Sequence, residues 1–513
     1  MLNSKFLHSI IFTIGEIMDA SWIESEFDDV DFGDTRLNDR CQFIVEAFDK
    51  SPGASIPQAF KSWAETKACY EFFKNPSVNE EKILEPHIKK TLGRIKNEEV
   101  ALLLNDTSSA DYTGLDSITG LGRLAANQNG DNLGIFIHPL IAVTPDRLCL
   151  GIAHAKIFTR SLEKIKETKA TKKKRPIEEK EIYRWIEGYK EASLISHEAP
   201  DTQIIYISDR EGDFIDLFDY ALNSAPGGAD FIIRCSQQER LVDEKNDENK
   251  KYKKILTCLK DAPKLGEIKF VVTKTDKRNK REVTQSIKSK TVVLKQQHIN
   301  GRIIKKIKIN VVMAIEENPP EGEKALCWMF ITTLPIETFE QATRVIEYYL
   351  CRWEIETFFK ILKSGCKVES RQLEKVERLL PMLALFMIVS WRILYLIMIG
   401  RANPNMPCTD IFEDSEWMSV HRILFKNKTI PEKPPSVGEF IEMIASLGGH
   451  LGRKSDSPAG PKTMWIGLTR MADFALAWEA FGPSPNTDNK GMALPGRPPT
   501  KIKKNMLMMH AEV

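Results

Sequence analysis

Two short, unbroken apolar runs, each closed by an aspartate, set the first limit on this fold. They are VALLLND, ending at Asp106, and QIIYISD, ending at Asp209. Continuous apolar stretches of this length form strands buried on both faces. An Asp just past the C-terminal end of such a strand lies where open α/β sheets place their sites. A single Asp there is more often an ordinary turn former. Two in matching contexts direct attention to a third acidic partner.

The stretch YYLCRWEIETFFKILKSG offers that partner, with helical composition and no internal Pro or Gly. At about 100° per residue, Tyr349, Arg352, Glu356 and Lys363 return within an arc of roughly 60°. One helix face then carries a carboxylate, two cations and a phenol, and Leu350, Trp353, Phe358 and Ile361 are left for other faces. Such a stripe suits metal-assisted chemistry on a phosphodiester: the acid holds the metal, and the cations and phenol hold phosphate. The alternative is a solvated face with an i,i+4 Arg–Glu pair. Asp106, Asp209 and Glu356 together form a set able to hold two divalent cations.

These residues carry a family resemblance. The spacing Tyr-x2-Arg-x3-Glu-x6-Lys, the context Asp106-Thr107-Ser108-Ser109 and the run Asp209-Arg210-Glu211-Gly212-Asp213 resemble bacterial insertion-sequence transposases of the DDE class. The branch is the insertion-sequence-four family, which includes the kanamycin composite-transposon enzyme. The likeness extends from about Trp22 to about Gly482. It implies an α/β fold with a ribonuclease-H-like catalytic core, a β-rich insertion, and helical N- and C-terminal domains. It implies that Asp106, Asp209 and Glu356 are catalytic and hold two Mg2+ ions, with Mn2+ able to substitute. Tyr349, Arg352 and Lys363 become DNA phosphate contacts, with Arg210 a weaker candidate for the same work. The implied activity is cut-and-paste transposition through nicking, hairpin formation and strand transfer. A related metal-dependent nuclease and a non-transposing DNA-binding regulator are the alternatives.

A chain of 513 residues has room for about three domains. The expected division is a helical end-binding domain at 1–85, a catalytic domain at 86–400 with its insertion at about 236–335, a helical dimerisation domain at 401–485, and a disordered tail at 486–513. Net charge is only +2, so no global basicity announces nucleic acid. From Lys251 to Asn310, however, roughly eighteen Lys or Arg stand against four Asp or Glu. That local excess could track a phosphate backbone or form a solvated β-domain face. The nine cysteines are scattered without zinc spacing, which points to a reducing cytoplasm and no structural metal. His138, in GIFIHPLIAV, reads as a structural core histidine rather than a ligand.

Two apolar segments raise the question of a membrane. FLHSIIFTIG near the N-terminus lacks a convincing cleavage site, and Met18 opens the part that carries the resemblance. Residues 379–399 are long enough to span, but Arg392 lies well inside and would cost roughly 2.5–3.5 kcal/mol near a helix centre. The segment reads as a core helix, and no membrane partner is expected.

Helical periodicity over Leu37–Phe48 and Thr66–Phe73 marks the N-terminal domain. There Arg36 and Arg40, at i,i+4, could reach DNA phosphates or pair with Asp34 and Asp39. Strands at Gly134–Thr144 and Leu148–Phe158, a helix at about Glu178–Ala192 and the strand DFIIRC surround the two aspartates. The family context of Trp328 implies stacking on a base flipped out of the DNA end, and the alternative is a strand Trp in the core. Transposon-end DNA, target DNA and a second copy of the chain within the DNA complex are the implied partners. The dimer surface is expected on Val437–Phe481, where Phe440, Ile441, Ile444, Leu447 and Leu451 recur at helical spacing.

Overall fold

The computed structural model describes residues 22–482, apart from 116, 125–131, 161–167, 169–170, 172–173, 225–226, 246–250, 273–279, 300–301, 427 and 454–455. The N-terminal apolar stretch and the tail after 485 lie outside the described residues. The chain opens with helices α1 (Trp22–Glu26), α2 (Thr35–Lys50), α3 (Ile56–Ala59), α4 (Trp63–Lys74) and α5 (Glu80–Ile95). Asp34, Ser62 and Asn79 cap three of them by accepting backbone N–H bonds. Strands β1 (Val100–Asn105), β2 (Ser108–Asp111), β3 (Gly122–Arg123), β4 (Leu133–Val143) and β5 (Cys149–Phe158) follow. Next come α6 (Tyr183–Glu198), β6 (Gln203–Ser208), α7 (Ile215–Asp219) and β7 (Asp230–Arg234).

The apolar runs form strands as their composition requires. Leu102 and Leu104 of β1 face one core, whereas Ala101 and Leu103 face a second core on the opposite side of the sheet. In β6 the same division separates Ile205 and Ile207 from Ile204 and Tyr206. β1 and β6 are parallel neighbours in a register that ends at Asn105 opposite Ser208. β4 runs antiparallel to β1, β5 antiparallel to β4, and β7 parallel to β6. The strand order through this region is therefore β5-β4-β1-β6-β7.

Most of the segment after β7 extends the same sheet. It contributes β8 (Leu241–Lys245), β9 (Tyr252–Lys254), α8 (Ile255–Lys260), β10 (Lys264–Val272), β11 (Arg281–Leu294), β12 (Gln297–Ile299), β13 (Arg302–Ile304), β14 (Ile307–Glu316) and β15 (Cys327–Thr332). Of these described strands only β12 and β13 pair apart from it, as a two-stranded ladder. β15 pairs antiparallel with the free edge of β7, and β14 and β11 extend the same ladder. The result is a thirteen-stranded mixed sheet. Its basic stretch is less bare than a count over Lys251–Asn310 suggests, because acids just outside that window pair with part of it. Lys253 and Lys290 both meet Glu244 at 2.5 and 3.0 Å. Lys254 meets Glu239, Lys306 meets Asp243, and Arg281 pairs with Glu316 and Glu323.

The remaining helices are α9 (Phe339–Leu350), α10 (Trp353–Lys360), α11 (Val376–Ala402), α12 (Asp414–Phe425), α13 (Val437–Leu447) and α14 (Pro461–Phe481). α11 begins ahead of Pro381 and is enclosed by protein along nearly its whole apolar length. Arg392 within it is buried, donates to the Ile411 carbonyl at 3.2 Å and lies over the Trp22 ring. Each fully buried Leu, Ile or Phe on such a helix contributes about 1.5–3 kcal/mol.

The C-terminal stripe is a correction. Phe440, Ile441, Ile444 and Leu447 are buried within their own subunit, with Ile441 against Gly400 of α11 and Ile444 against Gly467 of α14. Of that set only Leu451 is exposed, and Phe481 at the end of α14 is 90% exposed. Helical periodicity records that a face is covered without recording by what.

A buried clamp ties α1 to the sheet. Arg94 donates to both Glu26 oxygens at 2.9 and 3.0 Å and to the Leu150 carbonyl at 2.5 Å. His87 Nε2 accepts from the Ile152 N–H at 2.9 Å, so its Nδ1 carries the proton toward Glu26 at 2.5 Å. Burial alone would raise the Glu26 carboxyl, but His87 and Arg94 outweigh it and hold the group at about 2. A depressed carboxylate contributes stability that is complete above its unfolded value near 4.5 and is lost as pH falls through about 2. Glu26→Gln is expected to destabilise the chain by on the order of 2–3 kcal/mol at pH 7. In urea unfolding, the gap from wild type should narrow between pH 6 and pH 3. A gap that stays constant with pH would contradict the clamp.

Candidate active site

Asp106 and Asp209 each lie one residue beyond the paired ends of β1 and β6, so parallel pairing alone makes them neighbours. Asp106 Oδ1 accepts from the Thr107 N–H at 2.7 Å. Asp209 caps a short 3-10 turn over Arg210–Gly212, and its Oδ1 accepts from the Glu211 N–H at 2.8 Å. Gly212 is required there, since a Cβ would lie 2.1 Å from the Ser208 hydroxyl.

Glu356 reaches the same place from α10. With Asp106 and Asp209 it lines a polar cleft of about 580 Å3, together with Thr107, Ser108, Glu211, Arg352, Phe359, Lys360, Lys363, Ser364 and Glu369. The cleft thus brings together Asp106, Asp209, Glu356, Arg352 and Lys363 from the residues singled out in sequence. Tyr349, Trp328, Arg210, Arg36 and Arg40 do not line it.

The single continuous helix expected over Tyr349–Lys363 is corrected. Arg352 and Ile355 donate their N–H groups three residues back, to Tyr349 and Arg352, which overwinds the chain between α9 and α10. After Lys360 a π-turn over Ile361–Gly365 underwinds it, with the Cys366 N–H reaching Ile361. Constant 100° steps therefore misplace Tyr349. Its ring is buried against Phe330 at 4.6 Å, and its hydroxyl is enclosed with no hydrogen-bond partner at normal geometry.

Arg352 bridges two of the acids, donating to Asp106 Oδ2 at 2.6 Å and to Glu356 Oε1 at 3.2 Å. Lys363 is paired with Glu369 at 3.3 Å. Burial pushes the Asp106 carboxyl up to about 6, and the charges of Asp209 and Glu356 add to the rise. Arg352 and the Thr107 N–H only partly offset them. The cleft is thus short of positive charge even with Arg352 in place. Its donors are hard oxygens of the kind divalent Mg2+ prefers. Among the described residues no three metal-ligating side chains are drawn together tightly enough to hold an ion as they stand. The guanidinium sits between two of the candidates. The donor set fits a divalent cation that would displace it.

Several residues in or beside the cleft have roles that their local sequence did not single out. Thr107 and Glu211 lay inside the quoted motifs and were legible there. Lys360 lay inside the quoted helical stretch without a role, and Glu369 had no sequence signal, nor had Arg184, which holds Thr107 Oγ1 at 3.1 Å and Glu211 at 2.7 Å. His138 is buried, with Nδ1 2.8 Å from Thr107 Oγ1, and burial lowers its pKa to about 3. It is a neutral framework residue in the described structure.

The other nominated residues lie elsewhere. Trp328, on β15 opposite Ala314, stacks one face on Phe270 with ring centres 5.6 Å apart. Arg36 projects from α2 and pairs with Asp34 at 2.7 Å, and Arg40 lies over Phe43. Arg210 is exposed on its turn.

A raised carboxylate penalises the folded state fully above about pH 6, and the penalty vanishes below the unfolded value near 3.8. In metal-free buffer, Asp106→Asn is expected to melt higher than wild type above pH 7, by at most about 3 kcal/mol of stability. The two should converge below about pH 4. Equal melting temperatures at pH 8 would show that the carboxylates do not strain the cleft.

Comparison with known families finds three matches along the chain. Residues 19–78 match a transposase DNA-binding family, residues 225–391 a transposase DDE domain, and residues 388–480 a transposase Tn5 dimerisation domain. The DDE match begins after Asp106 and Asp209, so the placement of these two beside Glu356 comes from the fold. Three transposase parts in this order make the chain a DDE-type DNA transposase, an enzyme of DNA cleavage and strand transfer that binds DNA and forms homodimers.

Proposed function

We propose that the protein is a cut-and-paste transposase of the insertion-sequence-four kind, similar to the kanamycin-transposon enzyme, acting on its own transposon ends and then on target DNA. The observation that carries this reading is the convergence of Asp106, Asp209 and Glu356 in one cleft with Arg352 and Lys363. The strand order β5-β4-β1-β6-β7 supports a ribonuclease-H-like core, with the strands from β8 to β15 as its insertion. The divisions near residues 85, 400 and 485 are part of the proposal, as is work in the bacterial cytoplasm on nucleoid DNA.

Asp106 would be shared by two Mg2+ ions, or Mn2+, with Asp209 completing one and Glu356 the other. When bound, the ions supply Lewis-acid polarisation of the phosphate and a water nucleophile at neutral pH. The chain's own groups then position the substrate. Arg352, freed from its carboxylates, would turn its fork to a phosphate, where two parallel N–H bonds fix orientation. Lys363 would exchange Glu369 for phosphate as a point charge. The enclosed Tyr349 hydroxyl is a donor in want of an acceptor beside Arg352. Water cuts one strand and leaves a 3′-hydroxyl. That hydroxyl attacks a phosphodiester of the opposite strand, expelling the 3′-hydroxyl of the flanking DNA and leaving a hairpin. Water reopens the hairpin, and the 3′-hydroxyl so freed attacks a target phosphodiester, expelling a target 3′-hydroxyl. No protein nucleophile is needed.

Trp328 keeps one ring face against Phe270, and stacking an extruded base would use the other, for about 1–3 kcal/mol. Arg36 and Arg40 would contact the end duplex, and Arg210 a phosphate near the cleft. For the dimer, Phe481 and Leu451 are the exposed apolar candidates, since the α13 stripe is consumed internally.

Replacing Asp106, Asp209 or Glu356 with Ala is expected to reduce cleavage of an end duplex by at least a thousandfold. Gel-shift affinity for the same duplex should remain within a few-fold, because affinity comes mainly from cationic contacts. Substantial Mg2+-dependent cleavage by Glu356→Ala would overturn the assignment. Nicks without hairpins or strand transfer in the wild type would favour a nuclease, and binding without nicks a regulator.

A further inference from the structure

Arg184 stands on the first turn of α6, behind the cleft and not in its lining, and is 8% exposed. Each of its guanidinium nitrogens is engaged. Nε donates to Thr107 Oγ1 at 3.1 Å, one terminal nitrogen to Glu211 Oε2 at 2.7 Å, and the other to the Glu181 carbonyl at 2.8 Å. Its planar group also lies near the Trp185 ring.

The two side chains it grips are not arbitrary. The N–H of Thr107 orients Asp106, and the N–H of Glu211 orients Asp209. One guanidinium therefore holds the side chains of both residues whose N–H groups aim the two aspartates. The Thr107 hydroxyl accepts from Arg184, so its own proton points to His138 Nδ1 at 2.8 Å. α6 is seated firmly enough to serve as a reference, since Gly188 packs so close to the end of β1 that a Cβ would lie 2.4 Å from Asn105 Oδ1.

We propose that Arg184 is a positioning residue that sets the separation and aim of Asp106 and Asp209, and through them the affinity of the cleft for divalent cations. This rests on the reading of the cleft as a metal site. Lysine cannot do the same work, because a single ammonium lacks the fork that spans two loops. Removing an outer partner of a metal ligand costs about 10–100-fold in metal affinity.

The test is Mn2+ binding to the full-length chain, measured by titration calorimetry on wild type, Asp106→Ala, Arg184→Lys, Thr107→Val and the double variant Arg184→Lys/Thr107→Val. Wild type is expected to bind and Asp106→Ala to lose binding. Arg184→Lys should bind about 10–100-fold more weakly, with a melting temperature close to wild type. Thr107→Val should shift in the same direction, and the double variant no further than Arg184→Lys alone, since both break one connection. If wild type binds and Asp106→Ala does not, yet Arg184→Lys follows the wild-type curve, the positioning role is overturned while the metal site stands. A lowered melting temperature with unchanged Mn2+ affinity makes Arg184 structural and overturns it equally. If Asp106→Ala binds as wild type does, the reading of the cleft fails, and the role of Arg184 with it.

Discussion

The structure depends on the parallel pairing of β1 with β6. Its register ends with Asn105 opposite Ser208, so the next residue on each strand is an aspartate at the same sheet edge. Both strands are buried on two faces, which fixes that register strongly: a slip by one residue would exchange the core faces of every side chain. The acids are thus held at the ends of strands that lie between two apolar cores. The sheet supplies precision that a pair of loops could not.

Burying Asp106 and bringing two more carboxylates beside it has an electrostatic cost, visible in its raised carboxyl. Arg352 meets part of it by lying between Asp106 and Glu356, and Lys363 is similarly held by Glu369. The cations proposed to hold phosphate are therefore kept close to the cleft by its own acids. Divalent ions would compete with Arg352 for the carboxylates, and DNA phosphate would compete with the carboxylates for Arg352 and Lys363. Metal and DNA should favour each other through this exchange. Arg371 links the region to the N-terminal part, donating to the Pro52 carbonyl at 2.7 Å and to Cys366 at the end of the π-turn at 2.6 Å. The segment matched to DNA binding is thereby fastened to the chain that carries Glu356.

Much of this was legible in the sequence where local chemistry decides the outcome. The runs ending at Asp106 and Asp209 became adjacent strands, and the spacing from Arg352 to Lys363 placed three residues in the cleft. Legibility failed where tertiary contacts decide. No propensity marks the overwound step at Cys351–Arg352 or the π-turn after Lys360, and both bend the face that Tyr349 was expected to share. The basic stretch was judged by its own window, whereas Glu239, Asp243 and Glu244 come from outside it. The α13 stripe was apolar because α11 and α14 cover it. Arg184 is separated from Asp106 by 78 positions, and only the packing of α6 against β1 reveals what it holds.

In the proposed mechanism Asp106, Asp209 and Glu356 form one divalent-cation centre, and Arg352 bridges Asp106 and Glu356 in its absence. Anomalous diffraction from crystals of the full chain with a short end duplex and Mn2+ tests it most directly. Two Mn2+ peaks are expected in the cleft, roughly 2 Å from carboxylate oxygens. Asp106 should touch both, Asp209 one and Glu356 the other, and the Arg352 guanidinium should be turned from Asp106 toward a phosphate. Mn2+ bound elsewhere, with the Arg352–Asp106 pair intact and the cleft without a peak, would contradict it.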